Sequence, residues 1–384
     1  MDITLDVLKT DVMNGNQVYT IELTRALLRY FPEHQYNALL YLNKKQQAQK
    51  TFGSNQKLRY LNILPHNNLV GKSLKPLVSR VVNLAIHSVA RHSDIYHCTN
   101  PNRFPLGISN GIVTLHDLIA LRSEAWVSAG SQEFYRKNIF RILKEAKIVL
   151  TVSEFTRQDA IRHFPACEEK LIVTPLAAAP IFRKTVVNRS FLAGYGIPDT
   201  KKPYLLYVGE LQPRKNIGSL LCAFDVLPPR LRNELQVIIV GSAKSPENRE
   251  HFRAAVQAMK HRDQVFHLVN VPVEDLVLLY SAAHAFVYLS FYEGFGLPVL
   301  EAMSCGCPVL TADNSSLKEI AGNAAITVDP SDTDAVRDCL IRLLTENTLQ
   351  ENLKKLGMIR SAEYKWEETA RKTVEGYRLA IERT

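Results

Sequence analysis

The chain has 384 residues, 46 % hydrophobic and 22 % charged, with a formal net charge of +9. That length suggests two domains and that balance is globular, which excludes a largely disordered chain. No stretch approaches ~20 apolar residues and Met1–Asp6 lacks a basic-then-apolar leader, so neither a membrane-spanning helix nor a secretory signal is expected. In chain order, Met1–Leu8 reads as a strand, Val18–Tyr30 as a helix and Asn37–Leu42 as a second strand. Ile95–His97, Ile112–His116 and Ile148–Val152 follow as short buried strands. Then come Tyr204–Gly209, Gln236–Val240, Val265–Leu268, Ala285–Leu289 and Pro308–Thr311, with helical patterns between them. Strands alternating with helices twice over predict two doubly wound parallel sheets, each with a ligand crevice at the carboxyl ends of its strands.

Pro180, the polar run Lys184–Arg189 and the segment Pro198–Pro203 interrupt the periodicity. The expected division is a first domain over 1–182, a linker over 183–202, a second domain over 203–362 and a closing helix over 363–384. The six cysteines are scattered, with no zinc spacing, and suit small core positions in a reducing, cytoplasmic protein. Cys305 and Cys307 lie too close together for a zinc pair. No G-x-G-x-x-G is present, which argues against a dinucleotide dehydrogenase.

Between Glu33 and Asp94 there is no acidic residue, while nine lysines and arginines from Lys44 to Arg91 fall there. Lys72–Arg91 reads as a helix with an apolar face, which suits either packing on its own domain or lying on an anionic membrane surface. No aromatic-interleaved basic motif accompanies these charges, so nucleic acid is not an expected partner.

Ser290–Ala302 reads Ser-Phe-Tyr-Glu-Gly-Phe-Gly-Leu-Pro-Val-Leu-Glu-Ala, a loop that follows a strand and opens a helix. Pro298 suits a first helical turn, and Gly294 and Gly296 bare the backbone just before it, a usual seat for a phosphate. Glu293 and Glu301 flank the loop. Each carboxylate can accept hydrogen bonds from a sugar diol, and each can equally cap or ride the helix dipole. Asp332-Thr333-Asp334 has the form of a metal-binding string, but it precedes a helical run and reads better as an N-cap.

The spacing Glu293 to Glu301 with its Gly-Phe-Gly-Leu-Pro-Val-Leu interior resembles the signature of family 4 of the retaining GT-B glycosyltransferases. The continuation Ala302–Val309 is also similar. So are Tyr207-Val208-Gly209-Glu210-Leu211-Gln212-Pro213-Arg214-Lys215-Asn216-Ile217, Val113–Ile119 around His116-Asp117, and Thr151–Thr156, whose hydroxyls suit capping. Near the end, Trp366–Ala370 and Tyr377 resemble the family's closing helix, which returns to the first domain. Asn14-Gly15-Asn16 is poorer in glycine than the family's first loop. The resemblance implies two Rossmann-like domains facing each other across a cleft, and transfer of a hexose from a nucleotide diphosphate sugar without a metal or other cofactor.

In that light Arg214, Lys215, Glu293 and His116 are the expected catalytic residues. Gly15, Gly209, Phe295, Gly296, Leu297 and Glu301 are expected to bind substrate. The segments around His116 and Arg214–Lys215 look most like bacterial mannosyl- and rhamnosyltransferases of surface polysaccharide synthesis. GDP-mannose is therefore favoured over dTDP- or UDP-sugars. The expected acceptor is a glycan or lipid-linked molecule, met by a cytoplasmic protein peripheral to the membrane through residues 34–93. Competing readings are a nucleotide-sugar epimerase or phosphorylase, and a non-catalytic scaffold.

Overall fold

Val237-Ile238-Ile239-Val240 illustrates why these sheets form: four consecutive β-branched residues, all buried, suit a parallel strand covered on both faces. The computed structural model describes residues 1–7, 15–41, 44–53, 55–63, 75–123, 126–127 and 129–383. The chain divides into two units, Met1–Leu176 with Lys365–Thr384, and Ala177–Tyr364. Residues 183–202, expected as a linker, pack on the second unit. Leu192 and Ile197 are buried there, and Arg189 Nη2 donates to the Ala282 carbonyl at 3.0 Å.

The first unit holds β1 (Asp2–Asp6), β2 (Gln35–Tyr41), β3 (Leu58–Ile63), β4 (Ile95–Cys98), β5 (Gly111–Leu115), β6 (Ile148–Thr151) and β7 (Leu171–Val173). Their order is β3-β2-β1-β4-β5-β6-β7, every pairing parallel. The second holds β8 (Tyr204–Val208), β9 (Gln236–Val240), β10 (Val265–Leu268), β11 (Ala285–Tyr288), β12 (Val309–Ala312) and β13 (Ile326–Val328). Their order is β10-β9-β8-β11-β12-β13, again all parallel. The sequence pattern missed β3, β7 and β13. β7 and β13 are three residues each, and β3 is an edge strand whose polar Arg59 and Asn62 follow no alternation.

Each order reverses beside the unit's first strand, at β1/β4 and at β8/β11, so the loops leaving those strands flank a crevice. The closing helix Trp366–Glu382 belongs to the first unit. It buries Trp366, Thr369, Ala370, Thr373, Val374, Tyr377 and Ala380 at helical spacing. A Cβ on its Gly376 would lie 3.2 Å from Leu150 Cδ2, so glycine lets this helix lie close against β6. The helix Lys75–Arg91 buries Val82, Ile86 and Ala90 against its own sheet, yet leaves Leu84 70 % and Val81 39 % exposed. Residues 72–74 of the expected helix lie outside the described residues. Among the described residues, no helix is long and apolar enough to cross a membrane. Cys98, Cys167, Cys305 and Cys307 are buried as expected, whereas Cys222 is exposed.

Candidate active site

In the second unit the loops leaving β8 and β11 are tied to one another at the switch point. Gly209 ends β8 and is held by its N–H to the Val240 carbonyl at 2.9 Å. A Cβ on Gly241, just after β9, would lie 1.8 Å from Gly209 O, so the loops leaving β8 and β9 can approach this closely only with glycine at 241. Pro213–Lys215 forms a single 3-10 turn, and Asn216, at φ 52°, opens the next helix while its amide donates to Pro330 O at 2.8 Å. From the other side, Phe291 N–H and Ser290 Oγ both donate to the Arg214 carbonyl, at 2.8 and 3.1 Å. Backbone ties of this kind fix where the two cations stand.

Three donors converge on one oxygen. Glu293 Oε1 accepts from Lys215 Nζ at 2.5 Å, Tyr288 Oη at 3.0 Å and Arg214 Nη1 at 3.1 Å. Lys215 Nζ also donates to Tyr288 Oη at 2.5 Å and lies 5.1 Å from that ring's centre. Lys215 and Glu293 are 8 % and 9 % exposed, so this is a nearly dry ion-pair cluster. Burial, then the Arg214 charge, brings the Lys215 ammonium down to about 8 against the pull of Glu293. Burial alone would raise Glu293, but the Lys215 and Arg214 charges outweigh it and hold the carboxyl at about 2. Tyr288 rests between Tyr207 and Phe286, with ring centres 5.9 and 5.8 Å away.

The loop then turns into the helix Leu297–Ser304, whose N-cap is Gly296 at φ 112°. A Cβ there would come 2.7 Å from Leu317 Cδ2, so a side chain is doubly disfavoured. Phe295 and Leu297 are buried, and Ser316 Oγ donates to the carbonyls of Glu293 and Phe295 at 2.9 and 2.7 Å, locking the loop. The first N–H groups of such a helix lack intrahelical partners and point outward. Glu293 caps nothing; its side chain belongs to the cations. Glu301, expected on or near the first turn, sits in the second. It is half-buried and accepts from Tyr280 Oη at 3.1 Å. Burial pushes its carboxyl up to about 7, so desolvation outweighs any help from the helix dipole.

His116 and Gly15 belong to the first unit. His116 follows β5, is 9 % exposed, and its Nε2 lies 2.9 Å from the Thr99 carbonyl. A carbonyl only accepts, so Nε2 carries the proton and Nδ1 is the acceptor; burial holds this imidazole below its usual pKa. Gly15 is the exposed first residue of the helix Gly15–Tyr30, with Asn14 outside the described residues. Ser153 caps the helix Glu154–His163 by accepting from Thr156 N–H, the capping role its sequence suggested. Asp332 likewise caps Thr333–Thr345, accepting from Ala335 N–H at 2.9 Å.

Sequence reasoning missed Tyr288, Ser316 and Tyr280. Tyr288 ends the strand five residues before Glu293, and its position on the strand gave the one available signal. Ser316 and Tyr280 reach the site from other elements.

The family model of the glycosyl transferases group 1 matches residues 195–358. The O-antigen chain mannosyltransferase B of Escherichia coli is 33 % identical over 293 residues, covering 74 % of each chain. The serotype-specific mannosyltransferase WbdA of Escherichia coli is 27 % identical over 293 residues, covering 74 % of this chain and 35 % of that longer protein. Anabaena Alr3699/HepE, solved in complex with UDP and glucose, superposes over 98 % of both chains at TM-score 0.77 and 16 % identity, a likeness of fold alone.

Proposed function

The chain belongs to the glycosyl transferases group 1, and from that premise we propose that it moves mannose from GDP-mannose to a glycan or lipid-linked acceptor with retention of configuration. Its fold is GT-B, two Rossmann-like parallel-sheet domains. The observation that carries the reading is the buried cluster in which Lys215 and Arg214 share Glu293 Oε1 beside the Gly296 helix N-terminus.

Departure of the diphosphate breaks the bond from the anomeric carbon to the phosphate oxygen, and the electron pair leaves with that oxygen. In this proposal Arg214, Lys215 and the amides at Gly296–Leu297 hold the growing negative charge. Glu293, kept ionised by its cations, orients the sugar. Glu301 takes the ribose diol, and Phe295 and Gly209 shape the floor. His116 accepts from a sugar hydroxyl through Nδ1, and Gly15 lets the backbone approach the substrate. The acceptor oxygen bonds the anomeric carbon on the face the diphosphate leaves, and its proton passes to the departing oxygen. No metal has a role in these steps.

Mannose is favoured by the names of the two Escherichia coli relatives. Thermal-shift titration tests it: GDP should raise the Tm more than UDP or dTDP, because a ligand that binds only the native state stabilises it. Stabilisation by UDP alone overturns GDP-mannose, and failure to turn over any sugar nucleotide overturns transfer itself. We further propose a peripheral cytoplasmic protein whose acid-free segment 34–93, with Leu84 and Val81 exposed, meets an anionic bilayer. Co-sedimentation with phosphatidylglycerol vesicles should fall with salt and with reversal of Lys45, Arg59 and Arg91. Retention in the charge-reversed variant overturns it.

A further inference from the structure

Outside the cationic site, a run of buried polar groups lies in the first unit. His97 of β4 is fully buried, its Nδ1 2.8 Å from the Tyr377 hydroxyl and its Nε2 2.8 Å from Thr114 Oγ1. Thr114 Oγ1 is in turn 2.7 Å from the Tyr19 hydroxyl. Tyr19 stands edge-on to the His116 ring, centres 4.9 Å apart and planes at 84°.

The chain of bonds therefore runs Tyr377, His97, Thr114, Tyr19, and ends against the imidazole. Burial brings His97 down to about 3, so at neutral pH it carries one donor and one acceptor nitrogen. The imidazole couples its two partners: if Tyr377 donates to Nδ1, then Nε2 donates to Thr114, whose hydroxyl oxygen also bonds the Tyr19 hydroxyl. Apolar residues would fill the same volume without any polar group to satisfy, so the network specifies positions that packing alone would leave loose.

The helix Gly15–Tyr30 holds His116 from a second direction. Thr20 Oγ1 donates to Thr99 Oγ1 at 3.1 Å, Thr99 Oγ1 donates to Asp6 O at 2.9 Å, and the Thr99 carbonyl receives His116 Nε2. Adjacent residues Tyr19 and Thr20 thus fix the ring's edge and its tautomer. Tyr377 reaches His97 because Gly376 beside it lets the closing helix approach the sheet.

We propose that Tyr377 of the closing helix is a positioning residue for His116, acting through His97, Thr114 and Tyr19. The proposal rests on the reading of His116 as a sugar contact. It gives the last helix a part in transfer, although its tyrosine touches no substrate.

Tyr377→Phe in the full chain tests it, with Thr114→Val cutting the same run between His97 and Tyr19 should the first variant fail to fold. In histidine-selective NMR of the free protein, the His116 ring nitrogen signals should move beyond their linewidth in either variant. Turnover of GDP-mannose should fall about tenfold with KM within about twofold, the pattern of a misaligned group rather than lost binding. In a His116→Ala background the same change should have no further effect. Unmoved His116 signals, or a loss that persists undiminished in His116→Ala, overturns the proposal. Normal turnover by His116→Ala alone would instead break the sugar-contact reading, and the ring signals would still decide whether the run positions His116.

Discussion

At the carboxyl edge of the second sheet, two cations and a tyrosine share one oxygen of a buried glutamate. At the carboxyl edge of the first, a neutral histidine is held by a carbonyl and an uncharged run of hydroxyls. The same doubly wound topology thus carries two chemistries. One edge concentrates charge in a dry setting, where it acts strongly on a leaving diphosphate. The other spends its polar groups on orientation. The comparison predicts large electrostatic effects from the second unit, and smaller, alignment-type effects from the first.

The largest effect is expected from the cations. Lys215→Ala should lower turnover ~10²–10³-fold, the usual loss for one donor aimed at developing charge, and Glu293→Ala should lower it comparably by releasing both cations and the sugar from their positions. Their stabilities should differ. Lys215→Ala leaves Glu293 paired with Arg214, whereas Glu293→Ala leaves the buried Lys215 and the half-buried Arg214 without the carboxylate they share. Glu293→Ala should therefore melt lower than Lys215→Ala. Near-wild-type transfer in either variant, or the reverse order of Tm, would break the account of the cluster.

Acidity sharpens the comparison further. Lys215 is brought down to about 8, so the ammonium that meets a diphosphate is lost as pH rises through that value. GDP affinity should fall by up to about tenfold per pH unit above 8, since binding then requires uptake of a proton. From this group, stability moves the other way. Between about 8 and the ordinary lysine range the folded chain has released a proton that the unfolded chain keeps, so unfolding is disfavoured as pH rises. Calorimetry at pH 7 and 9.5 separates the two, and Lys215→Ala should show neither dependence.

Glu301 supplies the opposite limb. Burial raises its carboxyl to about 7, so the ionised form that accepts from a diol is lost as pH falls through that value. Glu301→Ala should raise the donor KM about tenfold, the weight of a charge-assisted hydrogen bond discounted for partial exposure, with a smaller change in kcat. It should also remove the acidic side of the pH profile of donor affinity. A larger loss in kcat than in affinity would take Glu301 out of the ribose role.

Both sheets were legible in the sequence because most of their strands are short apolar runs spaced by helices, and the Glu293–Glu301 loop because all its parts are contiguous. The pairing of Lys215 with Glu293 spans 78 residues and that of Tyr377 with His97 spans 280, distances at which no periodicity reports a contact. Tyr288 was hidden for another reason. A tyrosine in an apolar strand reads as core, and only its hydroxyl, aimed between Lys215 and Glu293, separates it from Phe286 two residues earlier. Edge strand β3 and the three-residue β7 and β13 lacked the length or alternation that marks a strand.

The smallest expected effect comes from Asp332. Its carboxylate receives the Ala335 N–H at the start of Thr333–Thr345, satisfying one of the helix's first donors. Asp332→Ala should cost ~1 kcal/mol of stability, the typical loss of an N-cap, while Asp332→Asn or Asp332→Ser recovers most of it. Asp334 pairs instead with Arg337 at 2.6 Å on an exposed face, where such an ion pair contributes less than about 1 kcal/mol. Transfer by all these variants should match the parent, with or without a chelator. If Asp332→Ala lost activity that manganese restored while Asp332→Ser did not fold better than alanine, the residue would belong to a metal site, and the charge of the second unit would no longer be confined to its switch point.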